Sequence, residues 1–132
     1  MGMQILIADS QPRARQSLKA LLATWPAVEG IREAGSGREA VSSVEEGVPD
    51  VAVLDALLPE MDGIEATRVI KERWPLIKVV VWSIDPEYEA EAQTAGADAF
   101  VTKGMPPQEL LACIAAVVEN GTTFWSGGEV WQ

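Results

Sequence analysis

Two aspartates, a serine and a lysine each stand just beyond a short apolar run: Asp9 after Met3–Ala8, Asp55 after residues 51–54, Ser83 after 79–82, and Lys103 after 100–101. Runs of that length and character read as strands, so these side chains leave from strand ends. Two carboxylates, a hydroxyl and an ammonium are the groups needed to hold a dication and a phosphoryl group. Carboxylate oxygens suit a hard cation such as Mg2+. An aspartate on a strand end is a small nucleophile, ionised at neutral pH. A placed lysine offsets the charge of a transferred phosphate. Taken singly, Asp9 or Ser83 reads as an ordinary turn residue. Lys103 is more telling, because it follows a buried run where a solvent lysine has little reason to sit.

The elements that would position these groups alternate strictly. Residues 3–8, 28–34, 51–54, 77–82 and 97–101 have strand character. Several are apolar on successive positions, the pattern of parallel strands covered on both faces. Between them, residues 12–25 carry Ala14, Leu18, Leu21, Leu22 and Trp25 on one helical stripe. Ser36 and Glu39 have capping-box spacing for Gly37–Glu46. Residues 63–74 form a third helix stopped before Pro75, and residues 86–95 a fourth ended by Gly96. Pro106 or Pro107 opens a fifth, with Leu110, Leu111, Ile114, Val117 and Val118 inward. Short connections then imply right-handed crossovers and an open α/β sheet, with ligands bound beyond the carboxyl ends of its strands.

Composition narrows the function further. A chain of 132 residues fits one domain. There is no histidine, which excludes histidine catalysis and histidine-ligated metal. The lone Cys113 rules out an internal disulfide, reads as a small buried hydrophobe, and agrees with a reducing cytoplasm. A net charge of −10 with scattered basic residues argues against gripping a polyanion. No run is long enough to cross a bilayer.

The segments Ile-Leu-Ile-Ala-Asp (5–9), Val-Leu-Asp-Ala-Leu-Leu-Pro-Glu-Met-Asp-Gly (53–63), Val-Val-Val-Trp-Ser (79–83) and Ala-Gly-Ala-Asp-Ala-Phe-Val-Thr-Lys-Gly (95–104) resemble the receiver domain of two-component response regulators. Residues 7–12 and 65–68 are most similar to its NarL-type branch, where a receiver precedes a DNA-binding helix-turn-helix domain. The resemblance implies a flavodoxin-like (βα)5 fold, a doubly wound five-stranded parallel sheet in the order 2-1-3-4-5. Residues 1–120 would be the receiver, and 121–132 a tail or the start of a linker to an output domain missing here, as in a domain cut from a longer protein.

The same resemblance implies the roles. Asp55 would be the phosphoacceptor, taking its phosphoryl group from the phosphohistidine of a sensor histidine kinase. Lys103 would neutralise that group, and the Ser83 hydroxyl would bond it and couple to Phe100 as an aromatic switch. Mg2+ would lie on Asp9 and Asp55, with Ser10 a weak further ligand. Self-phosphorylation and slow autodephosphorylation would replace turnover of an external substrate. A cytoplasmic homodimer through helices 4 and 5 or 1 and 5 is implied, touching DNA only through the missing domain and no membrane.

The chain departs from the family's pattern at several points. Ser10 replaces the second acid of the usual pair, removing a full charge beside the cation and weakening its hold. Ile84 stands where a small residue is common and should narrow access to the site. Leu57 and Leu58 leave the loop after Asp55 without a polar side chain to orient water. A competing reading is therefore a pseudo-receiver, a protein-binding module that keeps the fold and has lost phosphorylation. A flavin-mononucleotide binder shares the architecture, but no Ser/Thr/Gly-rich loop follows Met3–Ala8 to cradle its phosphate.

Overall fold

The computed structural model describes residues 2–121, 123–125 and 129–131. Strand β1 (Met3–Ala8) leads into α1 (Pro12–Leu22), β2 (Val28–Ala34), α2 (Gly37–Glu46) and β3 (Val51–Asp55). Then follow α3 (Gly63–Arg73), β4 (Lys78–Ser83), a 3-10 turn (Pro86–Tyr88), α4 (Glu89–Ala95), β5 (Ala99–Thr102) and α5 (Pro107–Asn120). The first five strands pair in parallel in the order β2-β1-β3-β4-β5. This is the doubly wound arrangement that the alternating pattern implies.

The sheet does not stop at five strands. Residues 123–125 form β6 (Thr123–Trp125), parallel to β5 with Ala99 opposite Phe124, and β7 (Glu129–Trp131) turns back antiparallel to β6. Residues 123–125 and 129–131 of the tail thus continue the sheet, and β6 covers the β5 edge. Trp125 packs against the core on the α4 side.

Strand side chains alternate between two cores. Ile5, Ile7, Val51, Val53, Val80 and Val101 meet α1 and α5 through Leu18, Leu22, Leu110, Cys113, Ile114 and Val117. Leu6, Ala8, Leu54, Val79, Val81 and Phe100 face α2, α3 and α4. Both faces are covered, which is why the central residues of these strands are apolar on successive positions.

Element ends depart from the sequence reading for local reasons. Helix α1 stops at Leu22, and Thr24 and Trp25 close tight turns on Leu21 and Leu22 ahead of Pro26. Ser36 accepts the Glu39 N–H at 3.0 Å, but the Glu39 carboxylate reaches back to the Gly35 N–H rather than to Ser36 itself. The fourth helix opens as a 3-10 turn and ends at Gly96, whose φ of +99° is costly for any residue with a Cβ. Asp98, expected within β5, lies before it and accepts from the Val79 N–H and the Lys71 ammonium.

Candidate functional site

Asp9 follows β1 and keeps its pairing, its N–H donating to the Ala34 carbonyl at 3.0 Å. Its Oδ1 accepts the Gln11 N–H at 2.8 Å, a short side-chain turn that lets Pro12 open α1. The Arg15 guanidinium donates to its carbonyl. Asp9 is fully buried.

Asp55 is the last residue of β3, opposite Trp82 of β4. Its Oδ1 accepts the Leu57 N–H at 2.9 Å. The start of α3 packs directly on this backbone. A Cβ on Gly63 would stand 1.8 Å from the Asp55 carbonyl oxygen, so glycine is required there. The loop between them turns sharply at Glu60, where φ is 68° and the Met61 N–H donates back to the Pro59 carbonyl at 2.7 Å.

Lys103 comes from the loop after β5, its N–H donating to the Ser83 carbonyl at 2.8 Å. Its ammonium donates to Asp9 Oδ2 and to Asp55 Oδ2, each at 2.6 Å. Residues separated by 94 and 48 positions therefore meet at one nitrogen. Ser83 ends β4 fully buried, and its Oγ accepts the Asp85 N–H at 3.1 Å. That bond leaves the hydroxyl hydrogen available to donate.

Two carboxylates around one ammonium leave a formal charge of −1. Burial raises the Asp55 carboxyl above its ordinary 3.8, outweighing the hydrogen bonds from Lys103 and the Leu57 N–H. Burial alone would lower the Lys103 amine, but Asp55 and Asp9 outweigh it and raise the amine above 10.5. The two shifts pull opposite ways for the pair, since one favours a neutral Asp55 and the other a charged Lys103. The Lys103 direction is the firmer of the two, because two carboxylates at hydrogen-bond distance both act in it.

The other candidate residues lie outside this contact. Ser10 is exposed and makes no part of the Lys103 cluster. Phe100 is completely buried on the α4 side, its ring in the core cluster with Ala92, Ala95 and Tyr88. Leu58 turns inward, so of the two leucines only Leu57 presents its side chain outward, 54% exposed. Ile84 directly follows Ser83 and is 77% exposed, so its side chain is not packed down onto the site. Any shielding it gives acts at the approach to the site.

Among the described residues, no group of three His, Cys, Asp or Glu side chains is placed to hold a metal. Asp9 and Asp55 nonetheless make a donor pair of the kind Mg2+ uses together with waters and phosphate oxygens. Such a pair fits an ion that shares the site with a phosphoryl group.

Trp82 was not singled out in the sequence reading. Its ring lies beneath the Lys103 ammonium, 4.7 Å from Nζ to the ring centroid. A signal was available: strand parity puts Trp82 on the Val80 face, opposite Ser83, at the same sheet edge.

Residues 5–115 match the family model described as the response regulator receiver domain. The chain is 34% identical over 120 residues to the transcriptional regulatory protein DegU of Brevibacillus brevis, covering 89% of this chain and 51% of that protein. It is 36% identical over 111 residues to the uncharacterized transcriptional regulatory protein YhcZ of Bacillus subtilis, covering 83% and 52%. The chain thus spans about half the length of these curated relatives. A crystal structure of a LuxR-family two-component response regulator from an Aurantimonas species superposes with a TM-score of 0.89 at 29% identity, covering 96% of this chain and 91% of that one. No helix among the described residues is long and apolar enough to cross a membrane.

Proposed function

We propose a function that proceeds from one premise: the chain belongs to the response regulator receiver domain family, in its NarL/LuxR-type branch. Within that family, Asp55 is the acceptor of a phosphoryl group from the phosphohistidine of a sensor histidine kinase. The observation that carries this reading is the Lys103 ammonium held at 2.6 Å from both Asp9 and Asp55. It puts a nucleophilic oxygen, a second carboxylate and a fixed cation around one point at the carboxyl edge of the sheet.

In the transfer, an Asp55 carboxylate oxygen attacks phosphorus while the bond from phosphorus to the donor nitrogen breaks. The electron pair of that bond stays with the leaving imidazole, which takes up a proton. Each Asp55 oxygen accepts one hydrogen bond beforehand, Oδ1 from the Leu57 N–H and Oδ2 from Lys103, which leaves each a lone pair for the attack. Lys103 can then follow the negative charge onto the phosphoryl oxygens, and the Ser83 hydroxyl can donate to them. Mg2+ held by Asp9 and Asp55 would supply further charge neutralisation, less firmly than if Ser10 were an acid.

By analogy with relatives named as transcriptional regulators, phosphorylation would act in the cytoplasm on an output that binds DNA elsewhere in a longer protein. A second copy of the chain would pair through α1 and α5. The α4/α5 alternative is less favoured, because β6 covers the β5 edge between those helices.

Incubation with acetyl phosphate or phosphoramidate and Mg2+, followed by intact-mass analysis, tests the reading. A labile phosphate adduct on the wild type and none on Asp55→Asn is the expected result. No adduct on either, at any Mg2+ concentration, favours the pseudo-receiver. The exposed Ser10 and the two-carboxylate donor set are the observations on that side.

A further inference from the structure

Trp82 is set between the strands that deliver the acceptor and the lysine, opposite Asp55 on one side and Val101 on the other. One residue on, the Ser83 carbonyl accepts the Lys103 N–H, so the lysine backbone is tied to the Trp82 strand. The Lys103 ammonium has three donors, and two end on Asp9 and Asp55. Beside it, on the α1/α5 side, a pocket of about 310 Å³ is walled mainly by the apolar side chains of Leu18, Leu21, Val101, Met105 and Leu110, with Ser17 and Thr102 the hydroxyl-bearing residues on its lining. The Trp82 indole face meets the ammonium there at 4.7 Å. A ring face attracts a cation through its quadrupole, and more strongly where water is scarce.

The geometry points to Trp82 as a positioning residue: its indole face holds the Lys103 ammonium at the junction of Asp9 and Asp55, ready for the incoming phosphoryl group. The inference rests on the receiver reading for its purpose, but the contact itself does not depend on it. Trp82 acts through Lys103. When Asp55 becomes an acyl phosphate, one of the two carboxylates holding the ammonium is lost. The ring then keeps the lysine within the site while it turns to the phosphoryl oxygens.

The test compares Trp82→Leu, which keeps an apolar side chain, with Trp82→Phe, which keeps a ring face. Thermal melting of both checks that each is folded. Two readouts are taken on the full chain. The first is the proton NMR shift of the Lys103 ε-methylene, which a ring face above it moves upfield. The second is single-turnover phosphorylation by phosphoramidate, a donor too small to touch the α1/α5 pocket as a docking partner would. The upfield shift should be present in the wild type and Trp82→Phe and absent in Trp82→Leu. The rate at saturating donor should fall about fivefold in Trp82→Leu with the half-saturating concentration unchanged, and Trp82→Phe should recover most of it. Equal rates in wild type and Trp82→Leu, or equal losses in the two variants, overturn the positioning role. An unshifted Lys103 in the wild type overturns the contact. If no form takes up phosphate while the shift is lost only in Trp82→Leu, the receiver reading fails and the hold of Trp82 on Lys103 stands.

Discussion

The two flanks of the sheet are built to different standards. On the α5 flank, Leu110, Cys113, Ile114 and Val117 fill the space against β4 and β5 with large, fully interlocked side chains. On the α4 flank, the helix contributes Ala92 and Ala95, with Tyr88 half-buried at its start. Phe100 supplies most of the bulk there, from the sheet side. Buried area sets how firmly a helix is held, so α5 is an anchor and α4 an adjustable cover. The functional groups divide the same way. Lys103 and Trp82 lean on the α5 flank, whereas Ser83 and Phe100 lie under α4 and its entry loop. One half of the site rests on the heavily packed flank and the other on the lightly packed one.

Four substitutions would break or sharpen that contrast. The largest effect is expected for Ile114→Ala, which should cost about 3 kcal/mol in urea unfolding because the residue is fully buried. Ala92→Gly, equally buried on α4, should cost about 1 kcal/mol. Equal losses would erase the distinction, and so would amide exchange in α4 as slow as in α5.

Asp55→Asn probes the junction between the flanks and should raise the melting temperature at pH 7. The folded-state pKa of Asp55 lies above its unfolded value, so its charge costs stability fully above the folded pKa. That cost fades as pH falls through the folded pKa and is gone below about 3.8, where the two proteins should melt alike. A pH-independent difference would locate the strain elsewhere. Lys103 has the opposite sign of effect. Its stabilisation is complete below 10.5 and is lost only as pH rises through its higher folded value. The smallest change in stability is expected for Ile84→Ala, within about 0.5 kcal/mol for so exposed a side chain. Loss of the phosphoryl group should nevertheless become faster in that variant, and an unchanged rate would remove Ile84 from the account.

Much of this arrangement was legible in the residues. Continuous apolar runs imply strands buried on both faces, and the side chains at their ends identified three of the groups that now meet at one nitrogen. What sequence could not supply was distance. That Lys103 bridges Asp9 and Asp55, rather than merely facing the same edge, depends on strand order and on the loop after β5. Trp82 read as one more apolar residue of β4, because its partner Lys103 comes from the loop after another strand. The tail was ambiguous for a related reason: three residues of β6 have no pattern of their own, and only the open β5 edge gives them a place. Helix ends were blurred where local turns competed, as at Leu22 and at the 3-10 entry to α4.

Cys113 lies in the middle of the anchored flank, and burial pushes its thiol up to about 12. At neutral pH the reactive thiolate is then scarce, and the side chain is fully buried while α5 is seated. Alkylation of this single sulfur should therefore count excursions in which α5 lifts from the sheet. The chain carries its own clock for the opening of its most rigid part, readable by mass without any added label site.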